Sequence, residues 1–183
     1  MIHTHNTHSE QKPLLLHSCC APCASASVEQ LLAVGRQVEL FYYMPSIYSY
    51  EEYCKRLESL EILARYFQLQ LHVGEYEHSK WLAAIRGLEA EKEGGARCFS
   101  CYEFVLHATH KKAQELDFDS FSTTLSISPY KNAVKINEIG CRYQGFEFFD
   151  FKQNNGYRRS IELSKKLGLY RQKFCACEFS KSK

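Results

Sequence analysis

The sequence predicts a single α/β domain, in which a mostly parallel sheet is covered by helices on both faces. Two observations support this prediction. Short apolar runs alternate along the chain with amphipathic stretches of helical spacing. The chain has 183 residues, of which 45% are hydrophobic and 24% are charged, and this is typical of a globular domain with one core. We expect residues 1–12 to form a disordered tail and residues 13–183 to form the domain.

The first half of the chain alternates three strands with helices. The apolar run LLLHS (14–18) predicts the first strand, and the small-residue stretch after the loop CCAPC predicts a helix that ends near Gly35. Residues 38–44 predict a second strand, residues 50–67 a second helix and residues 69–76 a third strand. The cysteines of CCAPC therefore follow the carboxyl end of a strand, where open α/β sheets bind their ligands.

The second half of the chain is predicted to contain two further strands between helices. The strands cover 119–128 and 146–151, and the helices cover 78–92, 98–116, 131–143 and 158–168. The motif CFSC falls in the first turn of the second of these helices, where the helix dipole stabilises thiolates. No repeat or linker divides the chain, so we expect the cysteine groups to converge at the carboxyl edge of one sheet.

The chain lacks the sequence features of a membrane or secreted protein. It has no run of 18 apolar residues, and Met1–Lys12 is polar and lacks the apolar core of a secretory leader. We therefore expect a cytoplasmic protein with no membrane partner, in a reducing compartment where disulfides are disfavoured.

Positive charge is concentrated towards the C-terminus. Residues 152–183 contain nine basic and two acidic residues, whereas the whole chain has a formal net charge of only +2. Such a segment is either a solvated surface or a site for an anionic partner such as nucleic acid. The interleaved aromatic residues Tyr157, Tyr170 and Phe174 favour RNA, whose bases stack on aromatic rings.

Seven of the nine cysteines fall in three tight groups: CCAPC (Cys19, Cys20, Cys23), CFSC (Cys98, Cys101) and CAC (Cys175, Cys177). Cys54 and Cys141 stand alone, and we expect both to be buried as small apolar residues. Seven grouped thiols exceed the four of a tetrahedral zinc site, but would suit a four-cysteine iron–sulfur cluster beside a three-cysteine site. The spacing alone leaves structural zinc and metal-free redox thiols open.

Four blocks of the sequence are distinctive, namely LLLHSCCAPCA (14–24), GGARCFSCYE (94–103), FSTTLSISPYKN (121–132) and DFKQNNGYRRSIELSKKLGLYRQKFCAC (150–177). Together they closely resemble the QueH family of epoxyqueuosine reductases. The four blocks in this order make the resemblance very specific. It implies a Rossmann-like domain of the adenine-nucleotide-hydrolase type. It also implies the last step of queuosine biosynthesis, the reduction of epoxyqueuosine to queuosine at the wobble position of tRNA.

The resemblance also implies two metal centres, a 4Fe–4S cluster and one additional mononuclear metal ion, iron or zinc. The family's ligand positions match Cys19, Cys20, Cys23, Cys98, Cys101, Cys175 and Cys177. One branch of the family has Asp at the position of Cys23, which suggests that Cys23 binds the single ion; the rest of the partition stays open. The chain has Met44–Pro45–Ser46 where the family usually has an Asn–Pro–Asn type of sequence, so substrate contacts of relatives are not carried over there.

Reductive removal of an epoxide oxygen needs electrons, an electrophile for the departing oxygen and a proton donor. His17, immediately before CCAPC, is a candidate proton donor, and its alternative is a hydrogen-bonded structural residue of the strand. Asp150, at the end of the predicted fifth strand, is a second candidate, and its alternative is to cap a helix or hold Tyr157.

Polar and basic residues near the predicted site are candidates for binding the substrate tRNA. The candidates for contact with the modified base and its phosphate are Thr123, Thr124, Ser128 and Lys131. The candidates for contact with the tRNA backbone are Arg158, Arg159, Arg171 and Lys173, and those for stacking on anticodon bases are Tyr157 and Tyr170. Each has an ordinary alternative in turn formation, solvation or core packing.

An external electron donor is expected as a partner, because the chain has no GxGxxG loop for a nucleotide cofactor. The principal alternative is a zinc-stabilised RNA-binding module without catalysis, which predicts a colourless zinc protein free of iron. A thiol reductase would use only the CFSC pair. A tRNA thiolase would need an SGGxDS-like loop where CCAPCASA stands.

Overall fold

The computed structural model describes residues 12–180 and contains a four-stranded, all-parallel sheet. The strands are β1 (Leu14–Ser18), β2 (Val38–Tyr42), β3 (Leu71–Val73) and β4 (Ser120–Thr123), in the order β3-β2-β1-β4. The central strand β1 is buried along its whole length. The predicted tail 1–12 lies outside the described residues except for Lys12, which forms an ion pair with Asp117 at 2.7 Å.

Helices flank this sheet in two groups. The helices of the described chain are α1 (Ala21–Ala33), α2 (Tyr50–Phe67), α3 (His78–Ala84), α4 (Ala96–Glu115), α5 (Ala133–Gly140) and α6 (Gly156–Lys166). α1 packs against α2 and α6, whereas α4 packs against α3 and α5. The α/β architecture predicted from the sequence is thus confirmed.

The strand order creates a crevice at the carboxyl edge of the sheet. The chain runs from β1 outward to β2 and β3, and then returns to place β4 on the other side of β1. In open α/β sheets, ligands bind at such a switch point, outside the carboxyl ends of the strands. Cys19 follows β1 directly and Thr124 follows β4 directly, so the first cysteine group and the Ser/Thr-rich segment both begin at this edge of the sheet.

The fifth strand predicted over 146–151 is wrong, because only its first residue forms a bridge, to Phe121 of β4. The chain after β4 turns into a 3₁₀ helix over Thr124–Ile127, so no strand edge remains for the segment to pair with. The hydroxyls of Ser122 and Ser126 instead donate to backbone carbonyls of the segment at 2.6 and 2.9 Å. The segment therefore lies along the sheet as an extended connection held by side chains.

Other predicted elements are present but shorter. The helix predicted over 78–92 ends at Ala84, and Gly87 follows with φ +84°, a left-handed conformation that a helix does not accommodate. The third strand is reduced to Leu71–Val73. Within residues 12–180, no helix is both long and apolar enough to cross a bilayer.

Candidate metal centre and active site

Cys19, Cys20 and Cys23 form one compact group after β1. Their sulfur atoms all lie within 4.8 Å of one another, and Cys19 Sγ lies 3.8 Å from Cys20 Sγ. Cys20 is the N-cap residue of α1, whose N-terminus favours a thiolate. Gln172 Nε2 donates to Cys20 Sγ at 3.2 Å. Hydrogen bonds from Cys19 and Cys23 hold the pKa of the Cys20 thiol well below its ordinary value, so the group stabilises a thiolate.

The other four grouped cysteines surround a neighbouring cavity. Cys98, Cys101, Cys175 and Cys177 line it together, although they come from the first turn of α4 and from the C-terminal segment. Gly94 N donates to Cys98 Sγ at 3.2 Å. Burial raises the pKa of Cys101 to about 12, because the buried thiolate is costly unless a cation lies beside it. A cation bound beside Cys101 would therefore favour its thiolate.

The two groups of thiols adjoin each other. Cys175 lines both the cavity and a cleft of about 500 Å³ that is also lined by Cys19 and Cys23. Lys131 lines both spaces as well. Burial alone would lower the pKa of Lys131, but the thiols of Cys175, Cys19 and Cys23 raise it well above its ordinary value, so the side chain is an ammonium. The structure thus brings all three cysteine motifs together around one lysine.

The sulfur positions fit a metal centre in two parts. Metal–sulfur distances of about 2.3 Å at a tetrahedral ion place the ligand sulfurs about 3.8 Å apart. The Cys19–Cys20 separation of 3.8 Å has this value. Within the described residues, the group that contains Cys23 is the only one with three or more metal-binding side chains within 4.8 Å. Within residues 12–180, no three of the four sulfurs that line the cavity are that close.

Comparison with known proteins supplies the family. A family model described as "Epoxyqueuosine reductase QueH" matches residues 14–183. The chain belongs to the QueH family.

Similar proteins of the QueH family come from several bacteria. The epoxyqueuosine reductase QueH of Thermotoga maritima is 38% identical over 175 residues, which cover 91% of this chain and 89% of the relative. The epoxyqueuosine reductase QueH of Streptococcus pyogenes serotype M1 is 34% identical over 183 residues, which cover 94% of this chain and 71% of the relative. The protein of Acinetobacter baylyi is 35% identical, with 91% of this chain and 79% of the relative covered.

In this member of the QueH family, several residues predicted to bind the substrate line the cleft. The lining includes Ser128, Lys131, Tyr157, Arg171 and Lys173. The hydroxyl oxygen of Ser128 accepts from Tyr130 N at 3.3 Å, a hydrogen bond that uses an oxygen lone pair and not the hydroxyl proton. The cleft therefore combines a hydroxyl, a phenol ring and three cationic groups beside the thiols, which suits an anionic, aromatic ligand.

The remaining predicted tRNA contacts lie outside the lining of the cleft. Arg158 on α6 has a side chain that is 80% exposed and pairs with Glu162 at 3.3 Å. Arg159 forms a two-pronged ion pair with Glu29 of α1, with both N–O distances 2.7 Å. The hydroxyl of Tyr170 donates to a buried carboxylate of α2. Of these side chains, Arg158 is the one held least tightly by the protein.

His17 is fully buried at the end of β1, between two neighbouring strands. Its Nε2 lies 2.7 Å from Tyr43 O and its Nδ1 lies 2.8 Å from Thr123 Oγ1. Because a carbonyl only accepts, Nε2 carries the proton and Nδ1 accepts from the threonine hydroxyl. Burial lowers the pKa of His17 to about 4, which agrees with a neutral ring. Neither ring nitrogen faces the cleft, so this geometry favours the structural alternative over proton donation.

Asp150 is exposed and is not among the residues that line the cleft. Its Oδ1 accepts from Lys152 N at 3.2 Å, which is the hydrogen bond of a local turn. Lys152 Nζ in turn donates to the backbone carbonyl of Lys131 at 3.3 Å. Asp150 therefore stabilises the turn from which Lys152 contacts the backbone of Lys131.

The two isolated cysteines differ from each other. Cys54 is half-buried and packs against the core, close to its predicted environment. Cys141 is exposed, which corrects the expected burial, and its thiol donates to Asn137 Oδ1 at 3.4 Å. Neither residue lines the cavity or the cleft.

The structure also contains a buried polar stripe on α2 that the sequence pattern had not indicated. Glu52, Arg56 and Ser59 recur at helical spacing among apolar residues and are buried with them. Their position on the apolar face of an amphipathic helix is a sequence signal that could have revealed them. Polar groups buried on such a face need hydrogen-bond partners elsewhere in the fold. Their partners are backbone and side-chain groups of the segment that ends in the CAC motif.

Proposed function

We propose that this chain reduces epoxyqueuosine to queuosine at the wobble position of tRNA, the last step of queuosine biosynthesis. The observation that carries this proposal is the convergence of seven cysteines, as four plus three, beside a cleft lined by cationic and aromatic side chains. Membership of the QueH family supports it, since the relatives are named as epoxyqueuosine reductases. The reaction consumes two electrons and two protons, breaks both epoxide C–O bonds and releases the oxygen as water.

The thiol arrangement supports two metal sites. Cys98, Cys101, Cys175 and Cys177 would hold a 4Fe–4S cluster, because all four line one cavity and no three of their sulfurs lie within 4.8 Å of one another. Cys19, Cys20 and Cys23 would hold one mononuclear ion, iron or zinc, because their sulfurs are close enough for a single tetrahedral centre. When bound, these groups would supply electrons one at a time and a Lewis acid for the epoxide oxygen.

Side chains of the cleft would bind and orient the modified base. Lys131 Nζ presents a positive charge and three donors beside both thiol groups, where it would hold an oxygen of the substrate. The Ser128 hydroxyl would donate to a substrate hydroxyl. Tyr157 and Arg171 would stack on or pair with the anticodon nucleotides that carry the base.

His17 and Asp150 would act by positioning. His17 links β1 to Thr123 of β4 through one ring nitrogen and to Tyr43, just after β2, through the other, next to the first cysteine. Asp150 holds the turn that supports Lys131. The tRNA backbone would extend from the cleft over the basic surface that includes Arg158, Arg171 and Lys173, in the cytoplasm where tRNA is found.

The test is turnover of epoxyqueuosine tRNA by anaerobically purified protein, with dithionite standing in for the external electron donor. Nuclease digestion and mass spectrometry of the nucleosides measure the loss of one oxygen atom. We expect product with the wild-type chain and with Cys54→Ala, and none with Cys98→Ala. Metal-loaded wild-type protein that binds this tRNA but forms no queuosine would rule out the proposed reaction.

A further inference from the structure

The buried polar stripe of α2 holds the C-terminal segment in place. Ser59 Oγ accepts from Tyr170 N at 2.9 Å, and Glu52 Oε2 accepts from the Tyr170 hydroxyl at 2.8 Å. Arg56 Nη1 donates to the carbonyl oxygen of Cys175 at 2.7 Å. These contacts join α2 to the segment on both sides of Lys173, so the position of the CAC motif depends on α2.

Arg56 is the charged member of this stripe and is almost completely buried. Its side chain is 1% exposed, its Nε donates to Glu52 Oε1 at 2.8 Å, and its guanidinium lies over the Phe174 ring at 5.3 Å. Its Nη2 has no hydrogen-bond partner within residues 12–180. A buried guanidinium with a free N–H group is costly, so a negatively charged group in its surroundings is expected.

The negative groups near Arg56 are the Glu52 carboxylate and the thiols of the first cysteine group. Arg56 interacts electrostatically with Cys20 and Cys19, and it also bonds the backbone of Cys175 in the other thiol group. The guanidinium therefore lies near the first thiol group and is bonded to the backbone of one cysteine of the second group. Glu52, which pairs with it, is the opposing charge in the same buried environment.

We propose that Arg56 is a positioning residue, whose buried charge makes the thiol-bound metal centre easier to reduce and whose hydrogen bond fixes Cys175. This inference rests on the proposed function. Each added electron increases the negative charge of a centre held by thiolates, and a fixed cation in a medium of low dielectric constant offsets this increase. The negative charge of Glu52 makes the metal centre harder to reduce, so the net electrostatic field at the centre depends on both members of the ion pair.

The test compares Arg56→Gln with Glu52→Gln, because the two substitutions remove charges of opposite sign from one buried pair. Arg65→Gln, an exposed arginine of the same helix, is the matched control. The midpoint potential of the iron–sulfur signal is measured by EPR during dithionite titration, and iron and sulfide per chain are measured on the same samples.

We expect Arg56→Gln to reduce the equilibrium constant for reduction about tenfold, which is about 59 mV for a one-electron couple. Glu52→Gln should shift the potential in the opposite direction, and Arg65→Gln should leave it unchanged. If Arg56 only anchors the C-terminal segment, the variants will change the metal content but will not shift the midpoint potential in opposite directions. That result would overturn the inference.

Two further outcomes keep the inference distinct from the proposed function. If Arg56→Gln retains no iron, Glu52→Gln decides, and an unchanged or lowered potential in that variant overturns the inference. Wild-type protein that binds no iron and no sulfide overturns the proposed cofactors and the inference together. Iron-loaded protein with the same potential in every variant overturns the inference alone.

Discussion

Lys131 lies where the cavity of four thiols meets the cleft with the other three, and it stays charged there because the thiols offset the cost of burial. A preorganised cation at a reacting site is typically worth a factor of about 10² in rate. We therefore expect Lys131→Met to lower kcat/KM for epoxyqueuosine tRNA by about 10² without loss of iron. Lys131→Arg should keep part of the activity. Wild-type turnover by Lys131→Met would show that the lysine does not contact the substrate.

His17 is a structural residue in our account, and its replacement tests that assignment. His17→Ala removes two buried hydrogen bonds and leaves the Thr123 hydroxyl and the Tyr43 carbonyl without those partners. Each unsatisfied buried group costs about 1 to 3 kcal/mol, so the loss of two partners should lower the thermal midpoint by about 4 to 24 °C in a chain of this size. Differential scanning calorimetry measures the shift. An unchanged midpoint with abolished turnover would restore His17 as a proton donor.

The types of these residues could be predicted from the sequence, but their partners could not. The spacing of the cysteine motifs indicated metal binding, whereas the division into three close sulfurs and four spread sulfurs required coordinates. His17 illustrates the same limit. A histidine before a cysteine motif suggests chemistry, and only the positions of Tyr43 and Thr123 show that both ring nitrogens are already bonded.

Helices and strands could be predicted from the sequence where the local residue pattern and the tertiary contacts favour the same element. β1 and α1 were predictable because a buried apolar run is followed by a loop with Pro22 and then by small residues, and the helix begins within that loop. The absence of the fifth strand could not be predicted, because residues 146–151 have the amino-acid composition of a strand. Its pairing fails only because β4 ends early and leaves no partner edge.

The contact between α1 and α6 depends on a glycine at the start of α6. A Cβ atom at Gly156 would overlap the carbonyl oxygen of Phe151, whereas Gly168 has open space around it and only a left-handed φ of +64°. We expect Gly156→Ala to destabilise the protein by about 3 kcal/mol or more and Gly168→Ala by about 1 to 2 kcal/mol. Thermal midpoints of the two variants provide the comparison. Equal midpoints would mean that the backbone near Phe151 shifts without cost.

Over the whole molecule, the basic C-terminal segment adjoins the cleft at the switch point of the sheet. This arrangement predicts tRNA binding that weakens steeply with salt, because each phosphate contact releases counterions. Arg158→Ala should reduce the slope of log K against log salt concentration by about 0.7 to 0.9. Arg159→Ala should change it less, since that side chain is held by Glu29. Filter binding across a salt series measures the slopes. Equal slopes for wild type and Arg158→Ala would exclude this face of α6 from the tRNA surface.

The proposed activity depends on seven convergent thiols that hold an iron–sulfur cluster and a separate metal ion. The most direct measurement is iron, zinc and acid-labile sulfide per chain in anaerobically purified protein, together with its visible spectrum before and after dithionite. We expect brown protein with about four sulfides per chain that bleaches on reduction. Cys98→Ala should lose the sulfide, and Cys19→Ala should lose only the additional ion. Colourless protein that contains zinc, and stays so after attempted cluster reconstitution, would contradict the account and favour a zinc-stabilised RNA-binding module.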